Sequence, residues 1–160
     1  MGQTALEIST QLKTEYDRFK DVTTTRTYNF SLKLAKSSGG FSSVGVSAHY
    51  TFPGQKMPRS PQIIHLTIHS RSSSSRFLNP LLRDLIFLVD GKRLKIPSAP
   101  IYVNGGFVGG SVDELLGYSI SRATFVTIAN AKTAELQVGV LEGALTELHY
   151  NSFKALLAMR

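Results

Sequence analysis

The strongest constraint on the fold is a two-residue period of apolar side chains in three stretches of the chain. The apolar positions are Tyr28, Phe30, Leu32 and Leu34 in the first stretch, Val44, Val46, Ala48, Tyr50 and Phe52 in the second, and Ile64, Leu66 and Ile68 in the third. Successive side chains of a β-strand point to opposite faces of the sheet, so this period places the apolar residues of each stretch on one face. The pattern predicts three half-buried strands.

Turn-forming residues separate these stretches from further short apolar runs. Asp90-Gly91 predicts a hairpin, because its turn requires positive φ and apolar residues flank it on both sides. Two Gly-Gly pairs, at residues 105–106 and 109–110, predict turns that bracket a very short strand. Further strands are expected within residues 21–28 and at 115–120, and a final hairpin at residues 135–140 and 142–145. About seven short strands with turn-length connections indicate a mainly β fold, either an antiparallel β-sandwich or a curled barrel.

Helical signals lie towards the two ends of the chain. The spacing of Leu6, Ile8, Leu12, Tyr16 and Phe19 is mostly helical, and we expect residues 1–20 to form a helical N-terminal extension. Ser121 is expected to cap a short helix that runs through Ala131, and Thr146 to cap a C-terminal helix within residues 146–160. A chain of 160 residues suits one domain with one core, so we predict a single domain (1–160) with a β-rich body at 22–145.

Positive charge is concentrated in the middle of the chain. Residues 22–112 contain eleven Lys and Arg against two Asp, which gives +9, whereas the two flanks carry −1 each and bring the net charge to +7. Such a field attracts nucleic acid, anionic lipid or another acidic polymer, although it also arises in proteins that merely need solubility. Both interpretations stay open.

Five basic residues in two short segments are the candidates for an anion-binding surface. They are Arg71 and Arg76, which flank four serines, and Lys92, Arg93 and Lys95, which follow the Asp90-Gly91 turn. The serine-rich stretch is too polar to pack, so we expect an exposed, mobile loop there. Loops on a rigid scaffold commonly carry recognition. If the charge is functional, the five residues are predicted to form one surface; the alternative is a solvated surface without a ligand.

Three histidines occupy polar positions of two predicted strands. A hairpin pairing of these strands sets His49 opposite His65, with about 5 Å between their Cβ atoms, where a shared metal ion is one interpretation. His69 lies about 13 Å from His65 along the strand, too far for both to bind one ion. Two imidazoles alone make a weak metal site, so exposed or hydrogen-bonded histidines are the alternative interpretation of His49 and His65.

No motif in the chain predicts catalysis or a cofactor. The absence of Cys excludes disulfides, thiolate nucleophiles and zinc–thiolate sites. The glycine-rich residues 104–111 lack the Gly-Lys-Ser/Thr order of a phosphate-binding loop, and no Gly-x-Ser-x-Gly elbow is present. Asp113-Glu114 falls at a predicted turn or strand entry, where solvated carboxylates need no special role. We therefore expect a protein that is not an enzyme and that binds no cofactor.

The C-terminal part of the chain resembles small bacterial domains without an assigned activity. The residues that carry the resemblance are the runs 125–132 and 153–157 together with Val138-Gly139 and Leu145-Thr146, all within residues 115–157. The resemblance implies a β-sandwich found in exported or envelope proteins. Its residues are mainly apolar or turn-forming, so it marks architecture and transfers no site.

These observations favour a non-enzymatic binding or structural module, of a bacterial envelope or surface assembly as the resemblance implies, with a protein or an acidic polymer as partner. The alternative is a domain that binds nucleic acid or another polyanion through its basic middle region.

No apolar run approaches the ~20 residues that cross a bilayer, so no membrane span is expected. Residues 1–10 lack the regions of a signal peptide, and we expect either a cytoplasmic chain or an exported one whose leader was removed. The oligomeric state stays open.

Overall fold

The computed structural model describes residues 11–159, apart from the side chain of Val108. Its strands form two antiparallel sheets. Sheet A has seven strands: β1 (Leu12–Asp17), β2 (Val22–Thr27), β3 (Phe30–Ser31), β5 (Phe41–Pro53), β6 (Ile63–Ser72), β9 (Ile101–Val108) and β10 (Ser111–Ser121). Sheet B has five: β4 (Lys33–Leu34), β7 (Leu85–Val89), β8 (Lys92–Lys95), β11 (Ala134–Val138) and β12 (Leu141–Ala144).

Sheet A has the order β1-β2-β5-β6-β10-β9, with β3 paired to part of β5, and sheet B has the order β4-β12-β11-β7-β8. Both sheets keep open edges in the described part of the chain, so the two-sheet alternative of the predicted fold is present and the closed barrel is not. The two sheets share one core, which includes Val46 of β5, Ile64 of β6, Phe87 of β7 and Leu136 of β11. Each such side chain contributes about 1.5–3 kcal/mol on full burial.

Two α-helices, α1 (Arg122–Ala129) and α2 (Glu147–Ala158), pack against each other, with the rings of Phe125 and Phe153 4.8 Å apart. The predicted cap of α1 is confirmed, since the Ser121 hydroxyl accepts a hydrogen bond from the Thr124 amide. Short 3-10 turns lie at Lys36–Ser38 and Pro80–Leu82. Within residues 11–159, no helix combines the length and the apolar character needed to cross a membrane.

The predicted N-terminal helix is wrong where the structure describes it. Leu12–Asp17 is strand β1, paired antiparallel with β2, and residues 1–10 lie outside the described part of the chain. Strand β2 has the sequence Val-Thr-Thr-Thr-Arg-Thr, and its β-branched residues favour extended backbone. Pairing with this strand overrides the helical spacing of the apolar residues in β1.

Two other strand predictions need correction. Gly105-Gly106 is not a turn but a bulge inside β9, where the register to β10 shifts between Asp113 and Glu114. Gly106 has a φ of 84°, and a Cβ on Gly105 would lie 3.1 Å from that of Asp113, so larger residues fit poorly at both positions. The strand predicted from the alternation of Tyr28, Phe30, Leu32 and Leu34 is interrupted. Its residues form β3, which pairs in sheet A, and β4, which pairs in sheet B, because the chain crosses between the sheets at buried Leu32.

The Asp90-Gly91 hairpin is confirmed between β7 and β8, with φ of 49° at Asp90 and 80° at Gly91. The Asp90 carboxylate also accepts hydrogen bonds from the backbone amides of Lys132 and Thr133. The turn is therefore tied to the segment that enters β11. The hairpin of β11 and β12 is likewise present, with Gly139 at a φ of 56° in its turn.

Candidate functional site: a groove on the outer face of sheet A

A groove of about 470 Å³ lies on the outer face of sheet A, the face that points away from the shared core. One side of this outer-face groove contains the imidazoles of His49 and His65. The opposite side contains the apolar side chains of Ile101, Val103 and Leu115. The groove therefore places a polar, titratable surface directly across from an apolar one.

The register of the strands explains the groove. In one cross-strand row, His65 of β6 lies between His49 of β5 and Ser119 of β10. In the neighbouring row, Gly117 of β10 lies between two residues with side chains, Thr67 of β6 and Ile101 of β9. Gly117 leaves a depression between them, and a Cβ added there would meet Ile101 only at an ordinary contact distance of 3.8 Å. Because residue 117 has no side chain, its backbone forms the floor of the groove.

His49 and His65 form a stacked pair, as the predicted hairpin pairing requires. Their ring centroids are 5.1 Å apart and the ring planes differ by 27°. Burial lowers the pKa of His49, and the nearby His65 and Arg26 lower it further because they disfavour a second positive charge. The Ser119 hydroxyl lies 3.3 Å from Nδ1 of His65, within hydrogen-bond distance.

A metal site at this pair stays a prediction. The nitrogen lone pairs lie in the ring planes, which differ by only 27°, whereas the ligands of one ion must converge on it. His69 is directed elsewhere, with Nε2 3.9 Å from a carboxylate oxygen of Asp113. Within the described residues, no group of three or more His, Asp or Glu side chains is placed to hold a metal ion.

Arg71 lies near the end of β6 in sheet A, and Arg76 lies in the segment that follows this strand. The predicted loop begins inside β6, where Arg71 pairs in register with Ser43 and Asp113 on the two neighbouring strands. The Arg71 guanidinium donates two hydrogen bonds to Asp113, at 2.7 and 3.0 Å, and this contact is the main reason that the pKa of Asp113 is lowered. The Arg76 guanidinium lies over the ring of Phe41, 6.0 Å from its centroid.

Lys92, Arg93 and Lys95 lie on β8, the edge strand of sheet B. Lys95 forms an ion pair with Asp84 at 2.6 Å. Lys92 and Arg93 are exposed, and neither forms an ion pair with another described residue. The structure thus separates the five candidate residues: Arg71 is in sheet A, Arg76 is in the loop after β6, and the other three are on sheet B. One member of each set is already paired to a carboxylate.

Sequence reasoning missed the apolar side of the outer-face groove. Ile101 and Val103 alternate with Tyr102 and Asn104, which is the two-residue period of a strand. The signal is short, and glycine pairs and prolines surround it. Leu115 was placed correctly on a strand, but its position beside Val103 depends on the pairing of β9 with β10, which no local pattern reveals.

Comparison with protein-family models, curated proteins and solved structures gives no significant match to this chain. The geometry and chemistry of its own surface are therefore the basis for a functional assignment.

Proposed function

We propose that the protein is a non-enzymatic binding module that holds its ligand in the outer-face groove. The observation that carries this proposal is the exposed apolar wall opposite the histidine pair: Ile101 is 71% exposed and Val103 48% exposed. Both belong to an edge strand whose outer side has no neighbour in the described residues. The groove volume lies within the range of about 300–1,000 Å³ typical of small-molecule sites.

The composition of the groove supports binding rather than catalysis. Its lining includes imidazole and hydroxyl groups but no carboxylate. Ser119 and His65 are close, yet a serine nucleophile needs a base that is oriented by a third group, usually an acid. The neighbour on the other side of His65 is the imidazole of His49. This arrangement provides donors and acceptors for recognition without a triad.

The proposal is tested by methyl NMR with hexanol as an apolar probe. Ligand in the groove shifts the methyl signals of Ile101, Val103 and Leu115 in a saturable manner. Leu81 is the matched control, since it is 86% exposed in the 3-10 turn Pro80–Leu82 and lies outside the groove. Equal shifts at Leu81 and at the groove methyls, or none at either, would contradict a dedicated site.

Polyanion binding is the second candidate, and the exposed Lys92 and Arg93 favour it. Their charges are not paired with described carboxylates, and β8 presents them along a sheet edge. The outer face of sheet B also carries Glu135 of β11 and Glu142 of β12, and these carboxylates repel an anion placed over the middle of the sheet. The positive surface for this candidate is therefore the edge strand itself, and Lys92 and Arg93 are its main residues.

A further inference from the structure

We infer that the ligand of the outer-face groove is an anion with an apolar body, such as a short aliphatic carboxylate, whose charged end lies at the His49–His65 pair. This inference rests on the proposed binding role of the groove and names its ligand class. It places the apolar body of the ligand against Ile101, Val103 and Leu115, and its charged end against the histidine pair.

The apolar half of the groove selects the body of the ligand. Ile101, Val103 and Leu115 form one continuous apolar strip, because Val103 is opposite Leu115 in the β9–β10 ladder. Gly117 leaves room beside Ile101 for a chain of a few methylene groups. Burial of each methylene group is worth about 0.8 kcal/mol, so a short chain contributes useful affinity without any polar contact.

The polar half of the groove selects the charge of the ligand. His49 has a ring N–H donor, and His65 and Ser119 together leave a second donor, since one of theirs is used in the hydrogen bond between them. The lining contains no carboxylate that would repel an anion. Arg26 of β2 lies opposite His49 in the ladder. Arg26 and Lys13 both pair with Glu15, so these three charges leave one net positive charge beside the pair.

The other charged groups near this face are Arg59, which lines a neighbouring pocket with Thr51 and His65, and three residues further along the strands. His69 is directly opposite Leu115, and it faces Asp113, which is bound to Arg71 further from the histidine pair. The opposite charges of Arg71 and Asp113 compensate each other. An anion at His49 and His65 therefore meets a surface that is neutral or positive on every side, whereas a cation meets Arg26 without a compensating carboxylate in the groove.

The same geometry makes anion binding depend on pH. Burial disfavours the protonated form of His49, and so do His65 and Arg26, whereas a bound anion favours that form by direct attraction. The pKa of His49 is then higher in the complex than in the free protein, so binding takes up protons. Affinity rises as pH falls through the bound-state pKa and levels off below the free-state pKa.

Three probes with the same apolar chain test the inference: hexanoate, hexanol and hexylamine, titrated at pH 7.5 and pH 5.5. Carboxyl groups titrate near pH 4, so hexanoate stays mostly ionised at both values. Hexanoate is expected to bind most tightly and to gain up to about tenfold in affinity at the lower pH for each unit of pKa rise. Hexanol is expected to bind equally at both pH values, and hexylamine most weakly.

Paired variants identify the groups responsible. His49→Asn with His65→Asn should abolish the pH dependence for hexanoate, and hexanoate should then bind no more tightly than hexanol. His69→Asn is the matched control, since His69 is on the same face of β6 but outside the groove lining, and it should retain the wild-type pH dependence.

The outcomes separate the inference from the proposed function. If hexanol binds as tightly as hexanoate, or if the pH dependence persists in the double variant, the anion assignment is overturned while the groove remains a binding site. If none of the three probes perturbs the groove, the proposed function fails and the inference fails with it. The comparison of probes uses the wild-type protein, so it is decisive even where the double variant is unstable.

Discussion

His49 of β5 and His65 of β6 are directly opposed in sheet A, with ring centroids 5.1 Å apart. Two imidazoles at this distance cannot both become protonated without electrostatic repulsion, and Arg26 adds a third positive group in the same cross-strand row. The protonation of this pair, and with it the charge of the outer face of sheet A, should therefore depend on the charge of any group bound there.

The first prediction concerns the titration of this pair. His65→Asn removes one positive neighbour of His49 and exposes its ring, and both changes favour protonation, so the pKa of His49 should rise towards its ordinary value near 6.5. The measurement is a pH titration of the His49 ring signals by NMR. An unchanged pKa would show that the two rings do not interact in solution.

His149 at the start of α2 predicts a pH-dependent stability. It is fully buried, its Nδ1 accepts a hydrogen bond from the Thr146 amide, and its Nε2 donates to the carbonyl of Phe30. Both bonds use the neutral ring, and burial lowers the pKa of His149. Below about pH 6.5 the unfolded chain binds a proton that the folded chain excludes, so the free energy of unfolding should decrease as pH falls and be at its full value above that pH.

His149→Phe tests this account by urea unfolding at pH 7.5 and pH 5.5. At pH 7.5 the substitution leaves the Phe30 carbonyl and the Thr146 amide unpaired, at an expected cost of about 1–3 kcal/mol. The variant should also lose less stability than the wild type on going to pH 5.5. If the two proteins show the same pH dependence, His149 is not the titrating group.

Glu114 predicts a large loss of stability from one buried carboxylate. Its side chain, 1% exposed, accepts hydrogen bonds from the amides of Arg76 and Phe77 and from the Tyr102 hydroxyl. Glu114→Ala leaves these donors unpaired and should destabilise the fold by about 3 kcal/mol or more, whereas Tyr102→Phe removes one bond and should cost about 1 kcal/mol. Thermal unfolding of both variants measures the difference, and equal costs would contradict the anchoring role of Glu114.

The hairpins and the histidine pairing were predictable because they depend on local signals. Asp90-Gly91 permits positive φ, and alternation in β5 and β6 places His49 and His65 on one face once the two strands pair. The burial of Thr23, Thr25 and Thr27 was not predictable from hydropathy, since it depends on contacts across strands. Thr27, for example, accepts a hydrogen bond from the amide of Ala48, 21 residues later.

The paired state of the basic residues was also beyond local reasoning. Arg71 and Asp113 are 42 residues apart, and only the β6–β10 register brings them into contact. The groove has the same origin, because Gly117 forms a floor only when β9 and β6 flank it. Composition indicated where the positive charge lies along the chain, and tertiary pairing decides which of these charges form ion pairs with described carboxylates.

This pairing gives a prediction for the polyanion candidate. Lys92→Gln with Arg93→Gln and Arg71→Gln with Lys95→Gln each lower the net charge by two units, but only the first pair removes charges that are not held in described ion pairs. The first double variant should bind a DNA duplex more weakly and reduce the salt slope by about 2. The second should have a smaller effect; equal effects would indicate a general field without a defined surface.

The outer-face groove is tested most directly by filling it. Gly117→Val places a side chain on the groove floor where a Cβ has room, and a β-branched residue suits a strand, so the unfolding temperature should stay the same or rise. Gln137→Val, at an exposed position of β11 in sheet B, is the matched control. Measured by NMR titration, hexanol affinity should fall about tenfold, or about 1.4 kcal/mol, in Gly117→Val and stay unchanged in Gln137→Val. Wild-type affinity in a folded Gly117→Val protein would contradict the groove as the binding site.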